Sequence, residues 1–283
     1  MTAAPTLSAE MPSGKDAAYE NFPVGSWLLP ARLRPHIAAF YAFARAIDDI
    51  ADSPSLPPAE KIARLEGFRR AIEGHETDNP AFSKAHAMRR SLAATGTTTR
   101  HCTDLIAAFK QDSVKPRYED WNDLMGYCLL SASPVGRYLL DLHGGSADGY
   151  GPSDALCNAL QVINHLQDCQ DDYRALDRVY LPMNWMADEG VTVEDLDKPA
   201  SNMGIRRVID HTLDETETLL HEAARLPKGL ASRRLAMESA AILDIAWSLA
   251  DRLRREDPLA RRVQLTKPEY FWCCIRGAVS ALV

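Results

Sequence analysis

Segments with helical spacing of apolar residues recur along almost the whole chain, and this pattern restricts the fold more than any other feature. Each segment is bounded by residues that begin or end helices; the one over 58–73 starts at Pro58 and stops at Gly74. The pattern predicts helices over 32–52, 58–73, 80–94, 99–111, 118–143 with a break at Ser133-Pro134, 153–173 capped by Ser153, 201–226, 231–256, and a last one after Pro268.

Strand signals are nearly absent and are confined to short pieces such as residues 179–181. No run of proline, glycine or serine is long enough to form an interdomain linker. We therefore predict an all-α protein of about eight to ten helices. The prediction places a disordered tail over 1–18 and a single helical domain over 19–283.

Composition and charge exclude several classes of protein. Hydrophobic residues make up 46% and charged residues 25%, as in soluble globular proteins. The net charge of −7 argues against a nucleic-acid partner held by general basic attraction. The N-terminus lacks the apolar core of a signal peptide, and the longest uncharged apolar run, residues 37–44, is too short to span a membrane. Six cysteines without CxxC spacing favour reduced thiols, so we expect a cytoplasmic protein.

Two acidic stripes carry the strongest chemical signal. Residues 41, 45, 48 and 52 read Tyr, Arg, Asp, Asp, and residues 161, 164, 168 and 172 read Gln, Asn, Asp, Asp. Each set steps by three or four residues, so each projects from one face of a helix. Both follow almost wholly apolar sequence, which is typical of buried helices.

The DxxxD spacing alone is weak evidence. With 24 aspartates in 283 residues, chance predicts about two such pairs, and the chain has three. The third pair, Asp210 and Asp214, lies in a polar segment and is predicted to be a solvated helix face. The other two pairs differ because they follow apolar sequence. Unpaired carboxylates near a core are destabilising, so each of these pairs requires a positive partner.

The residues leave the nature of that partner open. Oxygen ligands without histidine or cysteine favour Mg²⁺, which usually bridges a few carboxylates to substrate phosphates. A structural Ca²⁺ or an arginine salt-bridge cluster explains the same pattern, and Arg45 fits either a phosphate contact or an ion pair. The chain has no GxxxxGK[ST] or GxGxxG loop, so a nucleotide is not the obvious phosphate carrier. Apolar helices with two acidic stripes instead suit a hydrophobic diphosphate.

Three ordered motifs resemble the squalene/phytoene synthase family of head-to-head isoprenoid synthases. They are FYAFARAIDDIAD (40–52), YCLLSASPVG (127–136) and LQVINHLQDCQDDYRALDRVYLP (160–182). The resemblance extends over nearly the whole chain. It implies an all-α isoprenoid synthase fold around a central cavity, Mg²⁺, and a polyprenyl diphosphate substrate.

Within that family the chain looks most like the branch that converts presqualene diphosphate to hydroxysqualene. ENFPVGSWLLP (20–30), SASPVGRYLL (131–140) and Gln167 carry this likeness. Relatives that condense two diphosphates usually have arginine where this chain has Gln167, and a hydroxyl- and lysine-bearing segment where it has Tyr19-Glu20-Asn21. The likeness therefore implies a substrate with one diphosphate and a reaction without NADPH.

The resemblance implies roles for individual residues. The implied Mg²⁺ ligands are Asp48, Asp52, Asn164, Asp168 and Asp172. Positions near the reacting carbons are Tyr41, Tyr127 and Gln161, and one of the latter two orients a water. Diphosphate contacts are Arg45, Arg174, Arg178 and Tyr180, with Tyr173 beside them and Arg262 and Lys267 as weaker candidates.

Two other readings stay open from the sequence. One is a sibling activity, either condensation of farnesyl diphosphate to presqualene diphosphate or reductive squalene synthesis. The other is a non-catalytic isoprenoid-binding subunit. Trp272 and its apolar neighbours suggest peripheral contact with a membrane that supplies the lipid, with helix packing as the alternative. The sequence leaves the oligomeric state open.

Overall fold

The computed structural model describes residues 29–281, and helices account for most of them. The predicted tail over 1–18 and the segment Tyr19-Glu20-Asn21 lie outside the described residues. Contacts divide the chain into two compact units, with the boundary between Val114 and Lys115. No β-strand occurs among residues 29–281, where the sole β pairing is an isolated bridge between Arg117 and Val179.

The first unit contains four α-helices within its described residues. They are α1 (Arg34–Asp52), α2 (Pro58–Glu73), α3 (Ser83–Thr95) and α4 (Arg100–Asp112). Its core is aromatic: the Phe43 and Phe68 rings lie 6.1 Å apart, and Phe68 meets Phe82 edge-on at 5.4 Å. Gly74 ends α2 with φ of +85°, a left-handed conformation that glycine adopts without steric cost. This packing holds α1, which carries the first acidic stripe.

The second unit contains nine helices within its described residues. They are α5 (Trp121–Ser131), α6 (Ser133–Leu142), α7 (Tyr150–Gln167), α8 (Cys169–Leu176), α9 (Met183–Asp188), α10 (Met203–Ala223), α11 (Leu226–Gly229), α12 (Arg233–Arg255) and α13 (Lys267–Ser280). Helix α7 packs against α5, α6, α10 and α12 and is the centre of the unit. Gly136 permits the close approach of α6 to α7, because a Cβ at this position would lie 2.3 Å from Ser153 Oγ.

Several predicted boundaries are correct and two are wrong. The break at Ser133-Pro134 is confirmed, with Ala132 separating α5 from α6. The predicted helix over 153–173 is two helices that meet at Asp168. Ser153 does not cap it, because a 3-10 turn initiated by Ser146 leads into α7 at Tyr150 and leaves Ser153 buried inside the helix.

Candidate active site

The first acidic stripe lies at the carboxyl end of α1. Asp48 and Asp52 fall within its last five residues, where the helix dipole disfavours negative charge, and α1 has no basic residue in its last turn. Arg45 Nη1 donates to Asp48 Oδ2 at 2.7 Å, so the arginine makes the ion pair that the sequence left as one of two alternatives. Asp49, which lies between Asp48 and Asp52 in the sequence, is buried.

Arg45 offsets only part of the shift in the pKa of the Asp48 carboxyl. Burial raises the pKa of the Asp48 carboxyl well above its ordinary value, and repulsion from Asp52 adds to the shift. Arg45 lowers that pKa, but the nearby charges of Asp49 and Asp112 raise it further. The Asp48 side chain is still 26% exposed, which leaves its oxygens accessible to a cation. A divalent ion beside these oxygens would stabilise the charged form of the Asp48 carboxyl.

Tyr41 lies two turns before Asp48 on the same helix. Its hydroxyl is buried and has no hydrogen-bond partner within residues 29–281. The Arg45 guanidinium lies 6.0 Å from its ring centroid, a cation–π contact. The ring is thus held beside Arg45 on the same helix, and its role near the reacting carbons stays a prediction.

The second acidic stripe spans the junction of α7 and α8. Asn164 lies in the last turn of α7, Asp168 is the junction residue, and Asp172 lies in the first turn of α8. The amide of Asp168 donates to the Asn164 carbonyl at 3.0 Å, and that of Asp172 donates to the Asp168 carbonyl at 2.8 Å. These bonds keep the three residues at one-turn intervals through the junction, so they still share a face.

Asp168 is partly buried, with its side chain 35% exposed. Burial raises the pKa of its carboxyl, an effect that Arg262 opposes and that Asp172 and Asp171 reinforce. Arg262 Nη2 lies 3.4 Å from Asp168 Oδ1, and the arginine is half exposed. Arg262, a weaker candidate from the sequence, is therefore brought to the stripe. Lys267 lies exposed at the start of α13.

An aromatic cluster adjoins the second stripe. The His165 ring stacks on Tyr180 with centroids 3.5 Å apart, and the Tyr127 ring lies 5.6 Å from Tyr180 and 6.1 Å from His165. Tyr118 contacts both tyrosines. Gln161 Nε2 lies 3.1 Å from His165 Nε2. The structure thus brings three predicted residues, Tyr127, Gln161 and Tyr180, into one cluster with His165 at its centre.

The residues that follow the second stripe differ in burial and in the groups they contact. Arg178 is buried, and its backbone amide donates to the Asp172 carbonyl at 3.2 Å. Tyr173 is contacted by the Arg117 guanidinium at 5.9 Å. Arg174 is directed to the surface, where its Nε donates to Asp197 Oδ1 at 2.6 Å. The structure therefore engages Arg174 in a surface ion pair outside the cluster.

Gln167, at which the sequence resemblance predicts a difference from condensing synthases, makes a structural contact. It is 6% exposed, and its Nε2 donates to the Val263 carbonyl at 2.5 Å. That bond ties the end of α7 to the segment between α12 and α13. An arginine at this position would have to break it or bury a charge.

The donor set fits Mg²⁺. Among residues 29–281 no three acidic, histidine or cysteine side chains are gathered closely enough to form a complete metal site. Each stripe instead offers two aspartates at one-turn spacing, joined in α7 by Asn164. Because Mg²⁺ keeps several waters and binds through one or two carboxylates plus substrate phosphates, incomplete oxygen sets of this kind suit it.

The third DxxxD pair behaves as predicted. Asp210 pairs with Arg206 on the same helix, and Asp214 Oδ1 lies 2.5 Å from Arg254 Nη2 with the carboxylate 66% exposed. Arginines compensate both acids at the surface. This pair is a solvated helix face.

The family model that matches the chain is squalene/phytoene synthase, over residues 16–269. The chain belongs to the squalene/phytoene synthase family. A hydroxysqualene synthase from Rhodopseudomonas palustris is 41% identical over 276 residues, which cover 98% of this chain and 93% of the relative. One from Zymomonas mobilis is 40% identical and covers 93% and 88%. The crystal structure of squalene synthase HpnC from Alicyclobacillus acidocaldarius superimposes with a TM-score of 0.72 at 35% identity, over 84% of this chain and 89% of that one.

Family membership confirms the all-α isoprenoid synthase fold that the motifs predicted. The structure adds His165 and Tyr118 to the aromatic cluster, and it shows a buried hydroxyl without a hydrogen-bond partner at Ser131; sequence analysis assigned a role to none of the three. His165 and Ser131 lie inside the motifs without an assigned role, and Tyr118 lies outside them. A signal for Ser131 was available, because it is a polar residue one turn after Tyr127 at the end of an apolar helix.

Proposed function

We propose that this protein converts presqualene diphosphate to hydroxysqualene and diphosphate in the presence of Mg²⁺. The observation that carries the proposal is the identity of about 40% to two proteins named hydroxysqualene synthase over nearly the whole chain. The two acidic stripes support it, because the pKa values of Asp48 and Asp168 stay raised although Arg45 and Arg262 lie beside them. The match to named enzymes over this length also argues against a non-catalytic subunit.

The chain's residues have separate tasks in this reaction. Asp48 and Asp52 of the first unit, and Asn164, Asp168 and Asp172 of the second, are the residues that would hold Mg²⁺. When bound, Mg²⁺ supplies charge stabilisation for the departing diphosphate. Arg45 and Arg178 are proposed to bind diphosphate oxygens, for which guanidinium geometry is well suited.

The carbocation left by ionisation needs a surface that stabilises it without reacting too early. Aromatic faces contribute about 0.5–2 kcal/mol each to a nearby cation. Tyr41, Tyr127 and Tyr180 are proposed for this role, and the last two pack against each other. The step consumes only water, so no reductant is required.

Product analysis tests this function. Purified protein with Mg²⁺ and presqualene diphosphate is expected to release diphosphate and form hydroxysqualene without NADPH, and chelation of the metal should stop both. Alcohol and diphosphate are measured separately, by mass spectrometry and by a phosphate assay. Farnesyl diphosphate alone is expected to remain unconsumed.

A second candidate is reductive squalene synthesis, favoured by the name squalene synthase given to the solved relative from Alicyclobacillus acidocaldarius. The same assay separates the two. Squalene that forms only when NADPH is added would replace the proposed function by this one. Consumption of farnesyl diphosphate would instead identify a condensing synthase.

We also propose that α13 contacts the membrane that holds the lipid substrate. No helix among residues 29–281 combines the length and hydropathy needed to span a bilayer. Helix α13 nevertheless exposes Phe271, Trp272, Ile275 and Val279, at 65%, 61%, 38% and 53%. At about 100° per residue these four side chains fall within one arc of about 100°, while Cys273 on the opposite face is buried. The exposed apolar face suits an interfacial helix.

Loss of this face is expected to weaken membrane binding. The double variant Phe271→Ser with Trp272→Ser should sediment with vesicles of zwitterionic and anionic phospholipid at least about tenfold less than wild type, given about 1.5–3 kcal/mol for each large apolar side chain. Activity on detergent-dispersed substrate should be retained. Met203→Ser, which removes an isolated apolar residue that is 77% exposed, is the matched control. Equal sedimentation of the double variant and wild type would contradict the proposal.

A further inference from the structure

Ser131 is a buried hydroxyl that the protein itself leaves unsatisfied. It is the last residue of α5 and is 9% exposed. Its Oγ has no hydrogen-bond partner among residues 29–281. A buried polar group in this state is destabilising unless water or a ligand completes its hydrogen bonds.

Other helical hydroxyls in the same unit are satisfied by their own helix. Thr212 Oγ1 donates to the Val208 carbonyl at 2.8 Å, and Thr216 Oγ1 donates to the Thr212 carbonyl at 2.7 Å. This bond to the carbonyl four residues back is the ordinary arrangement for serine and threonine inside helices. The equivalent acceptor for Ser131 is the Tyr127 carbonyl, and Ser131 does not use it. Its donor and acceptor sites therefore have no partner among residues 29–281.

Two contacts fix how residues 127–133 run past α7. At one end, the Tyr127 ring faces the His165 ring at 6.1 Å. At the other, Ser133 Oγ donates to Asn158 Oδ1 at 2.9 Å, and both residues are buried. From the first contact to the second, the residue numbers rise from 127 to 133 and fall from 165 to 158, so the two segments are antiparallel.

Ser131 lies between these two contacts, and so does Gln161. Two residues back from Ser133, and three residues forward from Asn158, the antiparallel register places Ser131 at the level of Gln161. The Gln161 amide lies next to His165, within the aromatic cluster. By this register an unsatisfied hydroxyl and an amide occupy the same level of the α5–α7 pair, and the amide adjoins the aromatic cluster.

We infer that the Ser131 hydroxyl, together with the Gln161 amide, positions the water that captures the carbocation, an assignment that rests on the proposed function. The substrate carbon–oxygen bond breaks with its electron pair going to diphosphate. A lone pair of the held water then forms the new carbon–oxygen bond. The proton that this oxygen loses goes to the released diphosphate. The balance requires no oxidant or reductant, and Ser131 is a positioning residue because it acts through water.

The test is the partition of products after ionisation. In Ser131→Ala, the hydroxysqualene formed per diphosphate released should fall about tenfold, as expected for loss of one hydrogen bond in the product-determining step. Diphosphate release should stay within about threefold of wild type, because ionisation does not use this hydroxyl. Elimination or rearrangement products should make up the difference. Ser131→Thr, which keeps a hydroxyl, should restore the alcohol.

This ratio does not depend on how much of the enzyme is folded, so a purely structural effect would leave it unchanged. Ser133→Ala is the matched control, since it removes a buried hydroxyl that already has a protein partner, and it should keep the wild-type ratio. An unchanged ratio in Ser131→Ala, or an equal fall in Ser133→Ala, would overturn the inference. Wild-type protein that forms no alcohol would instead refute the proposed function, and the inference with it.

Discussion

Replacement of Asp48 by asparagine is expected to lower turnover by about a thousandfold or more while making the ligand-free protein more stable. The amide keeps the size of the side chain but cannot supply an anionic oxygen to Mg²⁺. In the absence of the ion, the carboxylate is a liability, because burial and the charge of Asp52 raise its pKa well above the ordinary value. Removal of that charge should therefore favour the folded state.

The two effects are measured on the same preparation. Diphosphate release from presqualene diphosphate gives the loss of activity, and thermal unfolding without Mg²⁺ gives the gain in stability. Asn at position 48 also loses the ion pair with Arg45, which is partly exposed and contributes less than the repulsion it opposes. A variant that is both inactive and less stable than wild type would point to a structural role for Asp48.

Two further variants test whether the loss of activity comes from the loss of a metal ligand. Asp168→Asn in the second stripe should lose activity to a similar extent, because its carboxyl is also partly buried and its pKa is also raised. Asp214→Asn has the same DxxxD spacing but lies on a surface ion pair, so it should retain near-normal turnover. Near-normal activity of Asp48→Asn or Asp168→Asn would refute the metal assignment of that stripe.

The helices and both stripes could be predicted because their signals are local. Proline, glycine and apolar spacing delimit α2 as Pro58–Glu73, the range predicted from sequence. The junction at Asp168 could not be read in the same way, since apolar spacing continues across it. The short helices α9 and α11 have six and four residues, too few to show a period. Local pattern thus identified the elements but not the break that separates α7 from α8.

The detailed contacts of the site depend on residues far apart in the chain. Arg174 is 23 residues from Asp197, its partner, and Gln167 is 96 residues from Val263. Neither pairing has a sequence signal, because each follows from how the helices pack. The stacking of His165 on Tyr180 is of the same kind. A single sequence could assign chemistry to the two stripes, but tertiary packing decides which neighbours are available to them.

Glu238 is a second buried carboxyl, and it predicts a large pH effect on stability. It lies on α12, is 6% exposed, and its Oε2 has no hydrogen-bond partner among residues 29–281. Burial raises its pKa from the usual 4.5 to about 7. Tyr270 on α13 is the titratable neighbour, and the Glu238 charge contributes to raising the pKa of that phenol to about 12. A phenol offers Glu238 no positive charge.

The sign of the effect follows from proton binding. Between about pH 4.5 and pH 7 the unfolded chain ionises this group while the folded chain keeps it protonated, so stability falls as the pH rises. Above pH 7 the folded protein must ionise a buried carboxyl, and the penalty levels off at about 3 kcal/mol. A neutral isostere escapes this penalty at every pH.

Glu238→Gln should therefore gain stability over wild type by about 2–3 kcal/mol between pH 5 and pH 8. Chemical denaturation of both proteins at the two pH values measures this change, and the change is the decisive quantity because a buried amide also has a constant, pH-independent cost. Glu119→Gln, at an exposed glutamate, should show no such trend. A difference between Glu238→Gln and wild type that stays flat with pH would mean that water solvates the carboxylate in the folded protein, despite its burial between α12 and its neighbours.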